Sequence, residues 1–478
     1  MWSRQVRLPR ADPSKFTVLV AELDHDEGNS ARDAIVTALG STAGIVVDPL
    51  DTAIPAGGTS EVEAGHECAR KYLKDSGAKL LIWGTRLVVN GREIINLFLT
   101  PLQSADMPDV AKLYGLDPQP DLVIDPSFLG DLVEAVQLAV VEYVATGQNA
   151  ENCSNTGQQL SALIDDVRQR VEGDKARSWS PTTRISVRLS LAAALNTLGT
   201  ITGSREPLTE AVSVCRAAIA EAKPHSEAWA KAQFELAASY IFLARWGTFA
   251  EKVRNLKEAL ESYRAAPGAF GTGDKRALVQ VMIGMCLTPL AAAEAPTNER
   301  TIQEALTTLQ DALRSLDRQR EPLLWGVAQT SLGMALLESA ERPGDHRMAL
   351  AEAQSAFKKS LELTREQAPL MWASTQAMIG LTLIAVSKSQ NDVSYLRDSV
   401  EAFNRALTVE TRSCTPLDWA STQQGLAGAL VLLGRSENNA EDFQKAEDAY
   451  HAALDVYTNR EFPYDWAFAQ SGLSEALR

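Results

Sequence analysis

The chain of 478 residues is poor in the side chains on which most catalytic and metal chemistry rests. It has five histidines, at 25, 66, 225, 346 and 451, and no two stand at a ligand spacing. His66-Glu67-Cys68-Ala69-Arg70 lacks the second histidine of a zinc-protease helix. Its five cysteines (Cys68, Cys153, Cys215, Cys286, Cys414) are an odd, scattered set without Cys-x-x-Cys. That argues against a disulfide framework or a zinc site, and predicts small core thiols in a reducing, cytoplasmic setting. No phosphate-binding Gly-x-x-x-x-Gly-Lys-Ser/Thr loop and no Gly-x-Ser-x-Gly elbow occurs. The glycines between 268 and 273 follow no strand and read as a loop.

Basic charge is also short, with 46 Lys and Arg against 61 Asp and Glu, a net −15. A nucleic-acid backbone or an anionic membrane surface calls for the opposite balance. The first residues, Met1 to Arg7, are basic but lack the apolar run of a signal peptide. Leu132 to Val144, an apolar helical stretch, is interrupted by Glu134, Gln137 and Glu142 and is too short to span a bilayer. The expectation is a non-enzymatic protein without metal or cofactor, without a nucleic-acid partner and without membrane insertion.

What the chain has is repetition. Pro322-Leu-Leu-Trp325-Gly-Val-Ala-Gln329 returns with Pro369, Trp372 and Gln376, then with Pro416, Trp419 and Gln423, and last with Pro463, Trp466 and Gln470. The tryptophans are 47 residues apart. A constant period of this size marks stacked copies of one unit that cannot bury its apolar face alone. Weaker copies are headed by Trp229 with Gln233, Arg276 with Gln280, and Arg184 with Arg188.

Each copy also carries a second helix with small, large and small residues at i, i+4 and i+7. These are Ala211/Cys215/Ala218, Ala259/Tyr263/Ala266, Ala305/Leu309/Ala312, Ala353/Phe357/Ser360, Ser399/Phe403/Ala406 and Ala446/Tyr450/Ala453. That spacing puts each triple on one helix face, where small residues admit a neighbour and the large one fills the gap. The first helices contribute a small residue of their own, at Ala237, Gly284, Gly333, Gly380, Ala427 and Ser474. Six helix pairs are predicted from about 181 to 462. A last helix follows, read either as a cap or as the point where the chain was cut, with Leu473 and Leu477 facing back onto Tyr450 and Ala453.

Before the array, the pattern β-α-β-α-β-β predicts a small α/β layer domain with a mixed sheet. Strands are expected at 16–23, 44–48, 79–89 and 92–100, and helices after Ser30 and over 61–76. Asn90-Gly91 is a strong hairpin signal. A Pro/Asp-rich connection, a helix over 128–146, a polar linker over 147–157 and a helix over 158–172 lead into the array. The expected domains are 14–104, 105–180 and 181–478, giving an α+β chain. Glu22, Asp24, Asp26 and Glu27 cluster after the first strand, as a cation-binding or simply solvated acidic loop.

The opening strand, the run Ala78-Lys-Leu-Leu-Ile-Trp-Gly84 and the closing hairpin resemble the TolB N-terminal-like (FlgO-like) domain. The paired helix signatures resemble the tetratricopeptide repeat, lengthened from the usual ~34 residues. The resemblance implies a right-handed superhelical solenoid that binds or assembles proteins. It further implies a concave groove lined by residues two before and one, five and eight after each Gln. The candidates are Lys231, Phe234, Ile241, Met285, Met334, Leu337, Leu381, Ile384, Gln424 and Val431. A groove so apolar suits an amphipathic helix, from a partner or from the chain itself; alternatively the face is buried by tight packing. The Lys and Asn pattern of a carboxylate clamp is absent, which argues against a chaperone adaptor.

Trp229, Trp325, Trp372, Trp419 and Trp466 could form an aromatic ligand ladder, but a stacking joint between repeats explains them better. Gln329, Gln376 and Gln423 read as hydrogen-bonding residues of the same joint. The expected function is a protein-interaction scaffold; the alternative is a regulatory or sensor component serving a small ligand or a separately encoded enzyme.

Overall fold

The computed structural model describes residues 8–12, 16–40, 45–54, 59–89, 92–101, 122–124, 153–173, 176–177, 179–266, 274–294, 299–319, 321–342, 346–364 and 368–478. The expected helix over 128–146 and the glycine loop over 268–273 lie outside them. The chain divides into two compact units, one of residues 1–112, 116–197 and 214–223, the other of 113–115, 198–213 and 224–478.

In the first unit the elements run β1 (Phe16–Glu22), α1 (Ser30–Gly40), β2 (Ile45–Ala53), α2 (Thr59–Ser76), β3 (Leu80–Val89), β4 (Arg92–Pro101) and β5 (Leu122–Ile124). The sheet order is β2-β1-β3-β4-β5. β1 lies parallel to β2 and β3, while β3–β4 and β4–β5 are antiparallel, so the sheet is mixed as expected. Val89 stands opposite Arg92, so β3 and β4 pair antiparallel along their whole length; Asn90-Gly91, the expected turn, lies outside the described residues.

β2 runs past the expected end at Asp48, through Pro49 to Ala53. A proline is tolerated there because β2 is an edge strand, where one missing N–H breaks no ladder. β5 adds a strand inside the stretch expected as connection, and α3 (Cys153–Glu172) starts at Cys153 rather than Gln158. Cys68, Cys215 and Cys286 are free thiols. Cys414 is disulfide-bonded, against the expectation of core thiols throughout.

The sheet core closes around Trp83, which is fully buried. A Cβ on Gly65 of α2 would stand 2.2 Å from the Trp83 ring, so only glycine lets the helix settle on the indole. Trp83 Nε1 donates to Thr100 Oγ1 at 2.7 Å, and His66 Nδ1 lies 2.7 Å from the same oxygen. His66 is buried edge-on to Trp83, its ring centre 5.1 Å away, and its Nε2 has no hydrogen-bond partner. Burial, with the Arg70 charge adding to it, pushes His66 down to about 4.

The array consists of α4 (Pro181–Thr202), α5 (Arg205–Glu221), α6 (Glu227–Leu243), α7 (Phe249–Ala265), α8 (Asp274–Glu294), α9 (Glu299–Ser315), α10 (Pro322–Ala340), α11 (His346–Thr364), α12 (Pro369–Gln390), α13 (Ser394–Leu407), α14 (Pro416–Glu437), α15 (Ala440–Leu454) and α16 (Pro463–Ala476). These are the six pairs and the terminal helix of the repeat reading. The repeated prolines open α10, α12, α14 and α16, where the missing N–H would be unpaired in any case. Asn391 and Asn438, both left-handed, end α12 and α14.

All six small-large-small triples are buried, none of their residues more than 3% exposed. Their large residues press into the small positions of the first helices. A Cβ on Gly284 would meet Leu309 at 2.4 Å, one on Gly333 would meet Phe357 at 2.6 Å, and one on Gly380 would meet Phe403 at 2.7 Å. A Cβ on Gly425 of the next first helix would also meet Phe403 at 2.6 Å, and one on Gly472 would meet Tyr450 at 2.2 Å. At the end of the chain Leu473 is buried as expected. Leu477 is 63% exposed instead of facing Tyr450, because α16 has ended at Ala476.

Among the described residues three helical stretches are long and apolar enough to cross a membrane: Pro181–Thr202, Arg276–Glu294 and Pro369–Gln390. The stretch 132–144 lies outside the described residues. All three are first helices of repeats, with 50–61% of the apolar window buried within the fold.

Replacing Phe403 with alanine should cost about 3–5 kcal/mol, read as a lowered urea midpoint. Gly380→Val should cost about 1–3 kcal/mol, and pairing Gly380→Ala with Phe403→Leu should be milder than the sum of the two changes. In the sheet unit, the depressed value of His66 gives stability that is whole above pH 6.5 and is lost as pH falls towards about 4. The protection of β3 amides, taken relative to their intrinsic exchange rates at each pH, should therefore fall over that interval in the wild type and stay level in His66→Phe.

Candidate binding face of the array

The first helices of successive repeats touch one another from α8 through α10, α12 and α14 to α16. On these helices Met285, Met334, Leu337, Ile384 and Gln424 are half-buried, and Leu381 is 39% exposed. In α6 Ile241 is half-buried, and Lys231 is half-buried and paired with Glu227 at 3.2 Å. Phe234 and Val431 are buried. Phe234 lies edge-on to Tyr263 at 5.1 Å, and Val431 belongs to the core around Phe403 and Tyr450.

The five repeated tryptophans are half-buried. Trp325 lies under the Arg318 guanidinium at 5.1 Å, Trp229 beside His225 at 5.2 Å, and Trp372 against the core around Phe403. Gln329 and Gln376 are buried and Gln423 is half-buried. Beside them Thr330 Oγ1 donates to Ser360 Oγ at 2.8 Å and lies 3.1 Å from Thr375 Oγ1, a hydroxyl bridge between repeats.

In the weakest repeat the Trp and Gln positions are Arg184 and Arg188, and both guanidiniums bind Glu221. Burial alone would raise the Glu221 carboxyl, but the two cations outweigh it and hold it below its ordinary value. An ion triad thus stands where five of the other copies have a tryptophan. The paired arginines were visible in the sequence; their shared carboxylate, 33 residues on from Arg188, was not.

The acidic loop after β1 is tied up by its own surroundings. Asp26 is buried and accepts from Ala31 N at 2.9 Å, Ser30 Oγ at 3.2 Å and Arg86 Nη1 at 3.3 Å. It thereby caps the start of α1. Glu22 faces Arg32 at 3.6 Å and accepts from Asn29 Nδ2 at 3.2 Å. Among the described residues no three His, Cys, Asp or Glu side chains are grouped as metal ligands.

A cavity of about 780 Å³ opens between α7, α8 and α9. None of the expected groove residues lines it. Its charges are internally matched, Lys257 with Glu294 at 3.4 Å and Arg264 with Glu304.

One buried acid escaped the sequence reading. Glu410, in the turn before α14, is 3% exposed, and its Oε2 has no hydrogen-bond partner. Burial first, and then the Asp418 carboxylate, push it up to about 7, against smaller opposing effects of Thr422 and Arg245.

Neither a known protein family nor a curated protein matches the sequence. Among solved structures, a Rap protein complexed with competence and sporulation factor is 12% identical, with 72% of this chain and 97% of that one covered, at a TM-score of 0.35. Aspartyl phosphate phosphatase F from Bacillus subtilis is 12% identical over 78% and 94%, at 0.35. A STAND protein with a tetratricopeptide repeat sensor from Pyrococcus horikoshii is 11% identical over 77% and 59%, also at 0.35. Likenesses this distant leave the fold resting on the helix pairs themselves.

Because Glu410 is raised above the ordinary glutamate value, its contribution is whole below about pH 4.5 and is lost as pH rises through about 7. Glu410→Gln should remove that slope and raise stability at pH 8 by about 3 kcal/mol, measured by denaturant titration at several pH values.

Proposed function

We propose that the chain is a non-enzymatic protein-interaction scaffold whose first-helix face receives an amphipathic helix of a partner. One observation carries the reading. The knobs beneath the face are fully buried, while Met285, Met334, Leu337, Leu381 and Ile384 above them keep part of their apolar surface accessible along touching helices. Such a row offers the i, i+3, i+4 and i+7 anchors of a helix a surface to cover. Methionine suits this role, since an unbranched, polarizable side chain adapts to the shape set against it. The net charge of −15 favours a basic partner over an acidic one.

The test is capture of partners by the full chain, wild type against a Met334→Glu/Leu381→Glu variant with an unchanged helical circular-dichroism signal. A carboxylate forced against apolar surface costs roughly 1–3 kcal/mol, so the variant should bind the captured protein at least about tenfold more weakly. Equal retention by both chains overturns the proposal.

A further inference from the structure

The second unit contains a seam between residues far apart in the chain. The turn after α6 and the start of α7 meet the starts of α14 and α16, 173 and 213 residues away at the two ion pairs. Arg245 Nη2 binds Asp418 Oδ1 at 2.8 Å, and Lys252 Nζ binds Asp465 Oδ2 at 2.6 Å. Between them Gly247 N donates to Glu461 O at 2.8 Å. Trp246, 1% exposed, faces Phe462, 2% exposed, with ring centres 5.7 Å apart, and Tyr457 packs behind Phe462 at 5.6 Å. Outside this pair Phe249 and Tyr464 lie 6.0 Å apart, with Lys252 above the Tyr464 ring.

The seam differs in kind from the joints between neighbouring repeats. Those are helix against helix along their length, with knobs seated in glycine notches. Across the seam the contact is made by the turn after α6 and the start of α7 on one side, and by the starts of α14 and α16 with the segment before α16 on the other. Its ion pairs are partly exposed, and pairs of that kind are individually weak and screened by salt. Yet the turn is shaped for the contact. Gly247 takes the left-handed conformation (φ 83°) that aims its N–H at Glu461, and Thr248 with Glu251 forms a capping box that starts α7 just beyond it.

We propose that this seam is a clasp: it holds the array in a closed turn and opens as a unit while the repeats on either side stay folded. Opening frees the first-helix row to change its curvature. That consequence rests on the binding role given above; the clasp itself does not.

Hydrogen exchange on the full chain tests it without a partner. Under native conditions the Gly247 amide should exchange much faster than helix amides of α10 to α13, and faster still in high salt. An Arg245→Glu/Lys252→Glu variant should speed it by on the order of tenfold while leaving the α10 to α13 amides unchanged. Adding Asp418→Lys and Asp465→Lys should restore protection, which separates loss of the clasp from loss of folding. Exchange of Gly247 only at the global unfolding rate, or no recovery on charge swapping, overturns the proposal. A failed partner capture leaves this result untouched, so the two readings fall separately.

Discussion

The array depends on one kind of contact, a bulky second-helix side chain seated where a first helix has no side chain at all. Phe403 is the fullest case. Its ring fills the notch at Gly380 in its own repeat and the notch at Gly425 in the next, so one residue joins three helices. A Cβ in either notch would sit closer to the ring than non-bonded carbons approach, so fit here is a matter of volume rather than of hydrophobicity. Because the contact reaches across the repeat boundary, no pair of helices completes its core alone. That is the physical reason for the repetition.

With the joints packed in this way, polar groups are left at the margins, and several are unusual. The weakest repeat sets an ion triad of Arg184, Arg188 and Glu221 where five of the other copies have a tryptophan. The sheet unit buries a neutral histidine, and the array buries a carboxyl that keeps its proton near neutrality. The two depend on pH in opposite directions, since acid charges the histidine and alkali charges the glutamate. The pH that suits one of these two groups is therefore not the pH that suits the other.

Much of this could be read from the chain. The 47-residue spacing of Trp325, Trp372, Trp419 and Trp466 gave the helix pairs and their prolines, and the small-large-small triples named side chains that are indeed buried. The antiparallel pairing of β3 with β4 and the mixed sheet followed from short-range signals. The candidate face was less legible. Phe234 and Val431 satisfy the same periodic rule as Met334 and Leu381, yet the first pair is buried and the second keeps some exposure. Periodicity assigns a face of a helix, whereas exposure depends on the neighbour that each repeat supplies.

By itself the sequence determined everything that repeats: the unit, its period, its knobs and notches, and the proline that opens each late repeat. These are local or nearest-neighbour properties, and the same residues recur wherever the same contact is made. Tertiary structure alone decided what occurs once. It chose Asp26 as the cap of α1, set His66 against Thr100 and Trp83, buried Glu410 beside Asp418, and brought Trp246 to Phe462. Such pairs have no period to betray them. Their partners are set by how the small offsets of successive repeats add up in space, and no single stretch of sequence contains that sum.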